Sequence, residues 1–499
     1  MTIYQVALVA VVALPALGAA VVALLKDRTA RLVGTGFAAV TLLPIILLPF
    51  ARSSADGGLW TEVDVSWVSA LNLDFHLGVD GVSYPLVALT GLLTVLCTAY
   101  LQKSSGRALT ALLLVLEAGI AGTFLSFDLI LFFLFFEVVL LPMYAVIAGW
   151  GGEDRRRAAR KFVLYTLFGS VFLLLGVVTV AVSAGTGDLA ELAGGAGLDR
   201  TTQYAAFTLL AIAFAVKAPL WPLHTWLPDA HTQAPTVGSV ILAGVLLKMG
   251  TYGLVRVGVG VAPLGAEKAA PVLGILAVAA ILAGSLICLR QTELKRLIAY
   301  SSVGHMGFVL LGIATLSETG LQAALLGNVA HGLITGLLFF LAGAIKDRAH
   351  TGELSELGGL RETAPRLAGV LGFAAIASLG LPGLAGFWGE AFAVVAAVQR
   401  GGGLWTTLAV LAAIGGALTA AYFLRLLRRV THGPARVPAT VASTALAPGA
   451  NGHLLPGVTT VEWLAWSPLA ALTLAVGLAP ALVLIATSAP VRALTEALP

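Results

Sequence analysis

The sequence predicts an all-α polytopic membrane protein of about fourteen transmembrane helices, and three observations carry that prediction. The chain is 59% hydrophobic with only 11% charged residues, and its mean hydropathy is +0.96, so it has too few charges to coat a water-soluble globule. Apolar windows of about 20 residues, the length that crosses a bilayer, recur along the whole chain. Lys and Arg concentrate in alternate loops between those windows.

In chain order the windows run 3–25, 32–50, 79–101, 108–126, 128–149, 162–184, 203–223, 236–260, 269–289, 297–316, 321–345, 367–398, 405–427 and 464–487. The first contains "ALGAA", which looks like a signal-peptide cleavage site. No basic residue precedes it, however, and Lys26, Arg28 and Arg31 follow it, so it reads as a retained helix. If the N-terminus lies outside, the loops after odd-numbered windows hold 21 of the 29 basic residues and the opposite loops hold 6. A miscounted helix would scramble that partition, so both termini are expected on the outer side. The stretch "WTEVDVSWV" within 51–78 alternates as a short strand does, and 430–463 is a Pro, Gly, Ala and Thr-rich connection on the cytoplasmic side.

The net charge of +4 does not point to nucleic acid, because in so apolar a chain the placement of the positive residues says more than their sum. Cys97 and Cys288 are isolated within apolar segments, which leaves no spacing for a disulfide framework, an iron-sulfur cluster or a zinc site. No metal or cofactor is expected in this chain, and no electron-carrying role.

Chemistry enters through charges placed in the wrong solvent. Glu117, Glu137, Lys217, Lys248, His331 and Glu390 fall inside the windows, with His305 nearer the cytoplasmic end of its own. Each such residue costs roughly 2.5–3.5 kcal/mol on insertion scales. Glu117, Glu137, Lys248 and His331 share a depth near mid-membrane, as a horizontal row would. A structural ion pair explains one such residue well, and Glu117 or His305 alone is as well read that way. A mixture of carboxylates, amines and imidazoles on at least five helices is what proton movement requires.

Two windows should be broken. In "FAVKAPLWPLHTWLPDAH", Pro219 removes a backbone donor and disfavours helix at Ala218, so the seventh window should stop just after Lys217. The negative pole of that half-helix then sits at the lysine. The twelfth window, too long for a straight crossing, contains "SLGLPGLAGFWGE", where Gly380, Pro382, Gly383 and Gly386 should interrupt it before Glu390. Two broken helices point to paired repeats with ion sites at the breaks, here two inverted five-helix repeats over windows 4–8 and 9–13. The organisation is then 1–107 for the first three helices, 108–260 and 261–429 for the repeats, and 430–499 for the loop and last helix. "RVGVGVAPLG" lacks the strand, turn and helix context of a dinucleotide site. His224, Asp229 and His231 match no metal spacing and read as a polar loop capping the eighth helix.

With these residues in view, the chain resembles the antiporter-like, proton-pumping membrane subunits of respiratory complex I, the NADH:quinone oxidoreductase, and most closely the M type. The resemblance is carried by "LFFLFFEVVLLPMYAVIAGWGG", "AVKAPLWPLHTWLPDAHTQAPTVGSVILAGVLLKMG", "ELKRLIAYSSVGHMGFVLLG", "HGLITGLLFFLAG" and "GLPGLAGFWGE". It implies that electron transfer in other subunits, which hold the FMN, iron-sulfur clusters and quinone, drives protons through this one. Glu137 would pair with Lys217, Lys248 and His331 would bridge toward Glu390, and Glu390 would pass the proton on. A carboxylate about 4 Å from an ammonium at an effective dielectric of ~20 is worth roughly 4 kcal/mol, enough to switch a lysine between holding and releasing its proton. Implied partners are the other membrane subunits, neighbouring antiporter-like ones included, in a bacterial plasma membrane. A subunit of a cation/proton antiporter, or of a related membrane-bound hydrogenase or dehydrogenase complex, is the competing reading. Glu390 argues against it, since such relatives typically place lysine there. A purely structural membrane spacer is a third reading, against which the buried charges speak.

Overall fold

A computed structural model describes residues 1–52, 58–68, 73–101, 106–434 and 455–498. Eleven of its helices are long and apolar enough to cross a membrane by length and composition. The first two, α1 (Ile3–Leu24) and α2 (Asp27–Leu47), pack together. Four short strands follow, β1 (Thr61–Val63), β2 (Ser66–Val68), β3 (Leu73–Asp74) and β4 (Leu77–Val79), with β1 antiparallel to β4 and β2 to β3. The stretch "WTEVDVSWV" therefore supplies one strand to each of two separate two-stranded ladders.

Next come α3 (Tyr84–Tyr100), α4 (Gly106–Leu125), α5 (Leu129–Val138), α6 (Leu140–Trp150) and α7 (Arg155–Ala184). The fifth window is thus kinked at Val139. Pro142 has no N–H for the Val138 carbonyl, which is where a proline opens a helix. The helix of the seventh window stops at Lys217 as expected, as α8 (Arg200–Lys217), and a separate short helix, α9 (Trp226–Gln233), follows beyond the window.

The eighth window holds a feature that no sequence signal announces. It runs as α10 (Thr236–Ile241), a π turn at Leu242–Leu246, α11 (Lys248–Gly253) and a second π stretch at Leu254–Val259. Then come α12 (Pro263–Cys288), α13 (Leu294–Ala314), α14 (Glu318–Ala349), a single turn α15 (Leu360–Thr363), and the broken pair α16 (Pro365–Ser378) and α17 (Ala385–Arg400). At that break Gly380 has φ +78° and Gly383 φ +92°, left-handed conformations that glycine enters without penalty. After α18 (Gly402–Val430) the last window departs from expectation. It forms α19 (Thr460–Leu478), ends at Ala479, and continues from Pro480 as a separate helix α20 (Ala481–Glu496).

Both termini occupy one face. Gln5 beside the N-terminus donates to the Glu62 carbonyl of β1 at 3.0 Å. On α20, the backbone at Ala486 closes over Gly81 and Leu494 approaches Gly260. We call this the terminal face. The opposite, basic face carries Arg155, Arg156, Arg157, Lys295, Arg296 and Lys346.

The most enclosed helices are the eighth-window helix, α13 and α14, each buried over 94% of its most apolar stretch, whereas α7 is buried over only 33%. Helix α7 turns Leu164, Leu167, Phe168, Val171 and Leu175 outward, as a lipid-facing helix does. Glycine sets the closest approach in the centre. A Cβ on Gly332 of α14 would lie 2.7 Å from the Gly244 carbonyl in the π turn, so the two backbones touch there.

Candidate functional site

Helix α8 starts with Asp199 accepting from the Thr202 N–H at 2.6 Å and ends at Lys217. The freed backbone beyond it is caught locally: the Leu220 N–H donates to the Ala215 carbonyl at 2.9 Å and the Trp226 indole to the Val216 carbonyl at 3.0 Å. The buried Lys217 ammonium lies 4.6 Å from the centre of the Phe136 ring, a cation–π contact. Its acidic neighbour Glu137 turns elsewhere and accepts a hydrogen bond from the Ser170 hydroxyl of α7. No ion pair joins Glu137 to Lys217 among the described residues. The aromatic ring, not the carboxylate, is in contact with the ammonium.

Lys248 sits between the two π stretches and is fully buried. The wide turn leaves the Ala243 carbonyl within 2.5 Å of its ammonium. Nδ1 of His331, on α14, is also 2.5 Å away. The His331 ring lies 5.8 Å from that of His305 on α13. His305 in turn places Nδ1 2.6 Å from the Glu390 carboxylate and Nε2 3.0 Å from the Ser378 hydroxyl. Ser378 and Glu390 flank the α16–α17 break, so the break delivers both partners to one imidazole. A cavity of about 20 Å³, room for about one water, is lined by His305, His331, Thr335, Ser378 and Glu390. His331 Nε2 is buried without a protein partner. Lys248, His331, His305 and Glu390 therefore form one row with a single gap, at the cavity.

The fold and this row can now be set beside known proteins. Residues 126–419 match the family described as NADH:quinone oxidoreductase/Mrp antiporter, transmembrane. The chain belongs to that family. The matched region holds Glu137, Lys217, Lys248, His305, His331 and Glu390, and leaves out Glu117. A relative in the family, the NADH-quinone oxidoreductase subunit M of Rhodobacter capsulatus, is 39% identical over 94% of this chain and 92% of its own. The chain is similar in structure to one chain of respiratory complex I from Thermus thermophilus, with TM-score 0.86, 29% identity and coverage of 99% and 100%. It is also similar to one in the Mrp complex of Dietzia sp., with TM-score 0.87, 25% identity and coverage of 99% and 98%.

Two residues of this family member sit differently from their sequence reading. Glu117 on α4 is buried with both carboxylate oxygens unpartnered, against Gly91 of α3 and outside the row. His231, read as part of a capping loop, is fully buried on α9, stacked on Phe339 at 4.4 Å, with both ring nitrogens unpartnered. It lies within electrostatic reach of both Lys295 and Lys248. Next to it, Thr232 and Gln233 line a cavity of about 360 Å³ at the basic face, together with Tyr100, Lys295, Lys346 and Asp347. Asp229, by contrast, ties α9 down by ion pairs to Lys161 at 2.7 Å and Arg296 at 3.5 Å. No sequence pattern distinguishes His231 from His224. The stack of His231 on Phe339 of α14 does.

Proposed function

We infer that this chain is a proton-translocating, M-type membrane subunit of a bacterial NADH-quinone oxidoreductase, driven by electron transfer in other subunits. The observation that carries the reading is the row Lys248, His331, His305, Glu390 running through the best-enclosed helices of a member of this family. FMN, iron-sulfur clusters and quinone belong to the other subunits, and this chain acts as a translocase without redox groups. The basic face is cytoplasmic and the terminal face is the outer one, in keeping with the alternation of Lys and Arg.

Protons are taken up through the basic-face cavity and His231. Glu137 and Lys217 form the input switch in the first five-helix unit, residues 108–260. Lys248 and His331 carry the proton across, and His305 with Glu390 receives it in the second unit, residues 261–429. Glu390 passes it to the outer side or to a neighbouring antiporter-like subunit. The deciding experiment is NADH-driven proton uptake into membrane vesicles with Glu390→Gln. Loss of uptake at unchanged NADH oxidation with an artificial acceptor supports the reading, and an unaltered proton-to-electron ratio refutes it.

The likeness to the Mrp complex favours a second reading, cation/proton exchange. Replacing all sodium by choline separates the two. A proton pump is indifferent to the change, and an exchanger stops.

A further inference from the structure

The helix that carries Lys248 also leads straight to the terminal face. Tyr252 and Arg256 follow Lys248 at four-residue intervals, which keeps them near one side of a helix. The second π stretch, Leu254–Val259, begins between them. Polar groups accompany this stretch. Thr251 donates to Asn328 Oδ1 at 3.0 Å, the Asn328 amide nitrogen is buried and unpartnered, and the Tyr252 hydroxyl donates to the Phe124 carbonyl at 2.9 Å. A short column of polar side chains thus runs from the Lys248 backbone carbonyl, which the Thr251 hydroxyl also reaches at 3.2 Å, toward the terminal face without passing His331.

Arg256 closes that column. Its guanidinium pairs with Asp80 and lies 4.9 Å from the Phe127 ring and 5.8 Å from the Tyr252 ring, while Nε has no partner. Asp80 is itself fixed, because its Oδ1 accepts from the Val82 and Ser83 N–H groups at 3.0 Å each. A guanidinium does not give up its proton in a protein, so Arg256 cannot serve as a relay. A fixed positive charge on a narrow polar path excludes protons and other cations.

Resting on the reading proposed above, we propose that Arg256, held by Asp80, is a cation barrier between Lys248 and the terminal face, which forces Lys248 to discharge sideways to His331. The pair is therefore asymmetric in function. The arginine is the barrier, and the aspartate offsets part of its charge.

The test is passive proton permeability of the complete complex in proteoliposomes, without electron donor. An outside-acid pH gradient is imposed and the potential is clamped by potassium and valinomycin. Arg256→Gln should raise the leak several-fold over wild type. Asp80→Asn, which breaks the same pair but leaves the cation, should stay as tight as wild type. Adding Lys248→Met to Arg256→Gln should return the leak to the wild-type rate, because the leak runs through the lysine. A tight Arg256→Gln complex overturns the proposal. So does equal leakage from Asp80→Asn, or a leak that persists without Lys248, since loosened packing would produce either. Should Arg256→Gln fail to assemble, the Asp80→Asn/Arg256→Gln double variant leaves no unpaired buried charge and is expected to leak in its place. Failure of the parent reading shows separately, as normal pumping by Glu390→Gln, and leaves the leak measurements intact.

Discussion

Nδ1 of His331 lies 2.5 Å from the Lys248 ammonium nitrogen, so two basic groups share one hydrogen bond in a fully buried site. When the lysine donates, Nδ1 must be the acceptor and the ring proton sits on Nε2. The pair holds one positive charge and not two, since a second would face its neighbour without solvent. A proton arriving at Lys248 can therefore leave from the far nitrogen of a ring that lines the cavity and neighbours His305.

This makes His305 a required link. His305→Ala should reduce NADH-driven proton uptake about as severely as Glu390→Gln, because it removes the hydrogen-bond partner of the Glu390 carboxylate. Proton-to-electron ratios in reconstituted vesicles check it, and a normal ratio in His305→Ala would break the row.

At the input side, Glu137→Gln and Lys217→Ala should abolish or strongly reduce pumping while the complex still assembles. Glu137→Asp should be milder, because the charge survives. Since Glu137 is held by the Ser170 hydroxyl, Ser170→Ala should weaken pumping less than Glu137→Gln does, measured the same way. Equal loss in Glu137→Asp and Glu137→Gln would indicate that packing is what matters.

His231 makes a third prediction. If it links the basic-face cavity to Lys248, His231→Phe keeps the stack on Phe339 but removes both nitrogens, and pumping should fall with assembly intact. Assembly on native gels and proton uptake, measured together, separate this from a packing defect. Full uptake would return His231 to the role of a core residue.

The terminal face supplies a pH dependence. His76, between β3 and β4, places Nδ1 2.5 Å from Asp188 and Nε2 3.3 Å from Glu62. Burial alone would lower the His76 pKa, but the hydrogen bond and charge of Asp188, with Asp64 and Glu62, raise it above the ordinary histidine value. Asp188 is pushed up by burial, yet the hydrogen bonds from His76 and from the Ala190 and Glu191 amides bring it below the ordinary carboxylate value. The attraction is thus complete between those two values. It is lost as pH rises through the raised His76 value, and again as pH falls through the lowered Asp188 value. The Leu129 N–H donates to the Gly187 carbonyl and the Leu189 N–H to the Phe127 carbonyl, so this clamp holds the start of α5, the helix of Glu137. Hydrogen exchange of those amides should accelerate at alkaline pH beyond the intrinsic rate. In His76→Gln the extra acceleration should vanish.

A last prediction concerns stability. Arg348 makes a two-pronged pair with Glu462 at 2.6 and 2.7 Å and also donates to the Pro456 and Gly457 carbonyls at 2.9 Å each, pinning the start of α19 to α14. Arg348→Ala strands a buried carboxylate and should cost about 3 kcal/mol, read as a lower Tm of the detergent-solubilised complex. Arg348→Ala/Glu462→Gln should recover part of that loss.

The two helix breaks were legible because proline and glycine act locally: Pro219 and Pro222 after Lys217, and Gly380, Pro382 and Gly383 before Glu390. The buried charges were legible because a lipid environment makes each of them costly. The π turns around Lys248 were not, since they are set by packing against α14 and carry no residue signature. Nor was the His305–Glu390 contact, which joins residues 85 apart in the chain. Nor was the burial of His231, whose stacking partner Phe339 lies far along the chain. The last window was overextended because apolar residues continue past Pro480 into α20, where mean hydropathy does not distinguish a crossing from a helix that rests on one.

The crossing of Gly244 and Gly332 leaves no room for a side chain, so α14 and the Lys248 helix are interlocked at the depth where the charges meet. A methyl group at position 332 would press on the Gly244 carbonyl and push the two helices apart. Proton traffic between the groups that meet there should appear in imidazole and carboxylate vibrations, which infrared difference spectra resolve.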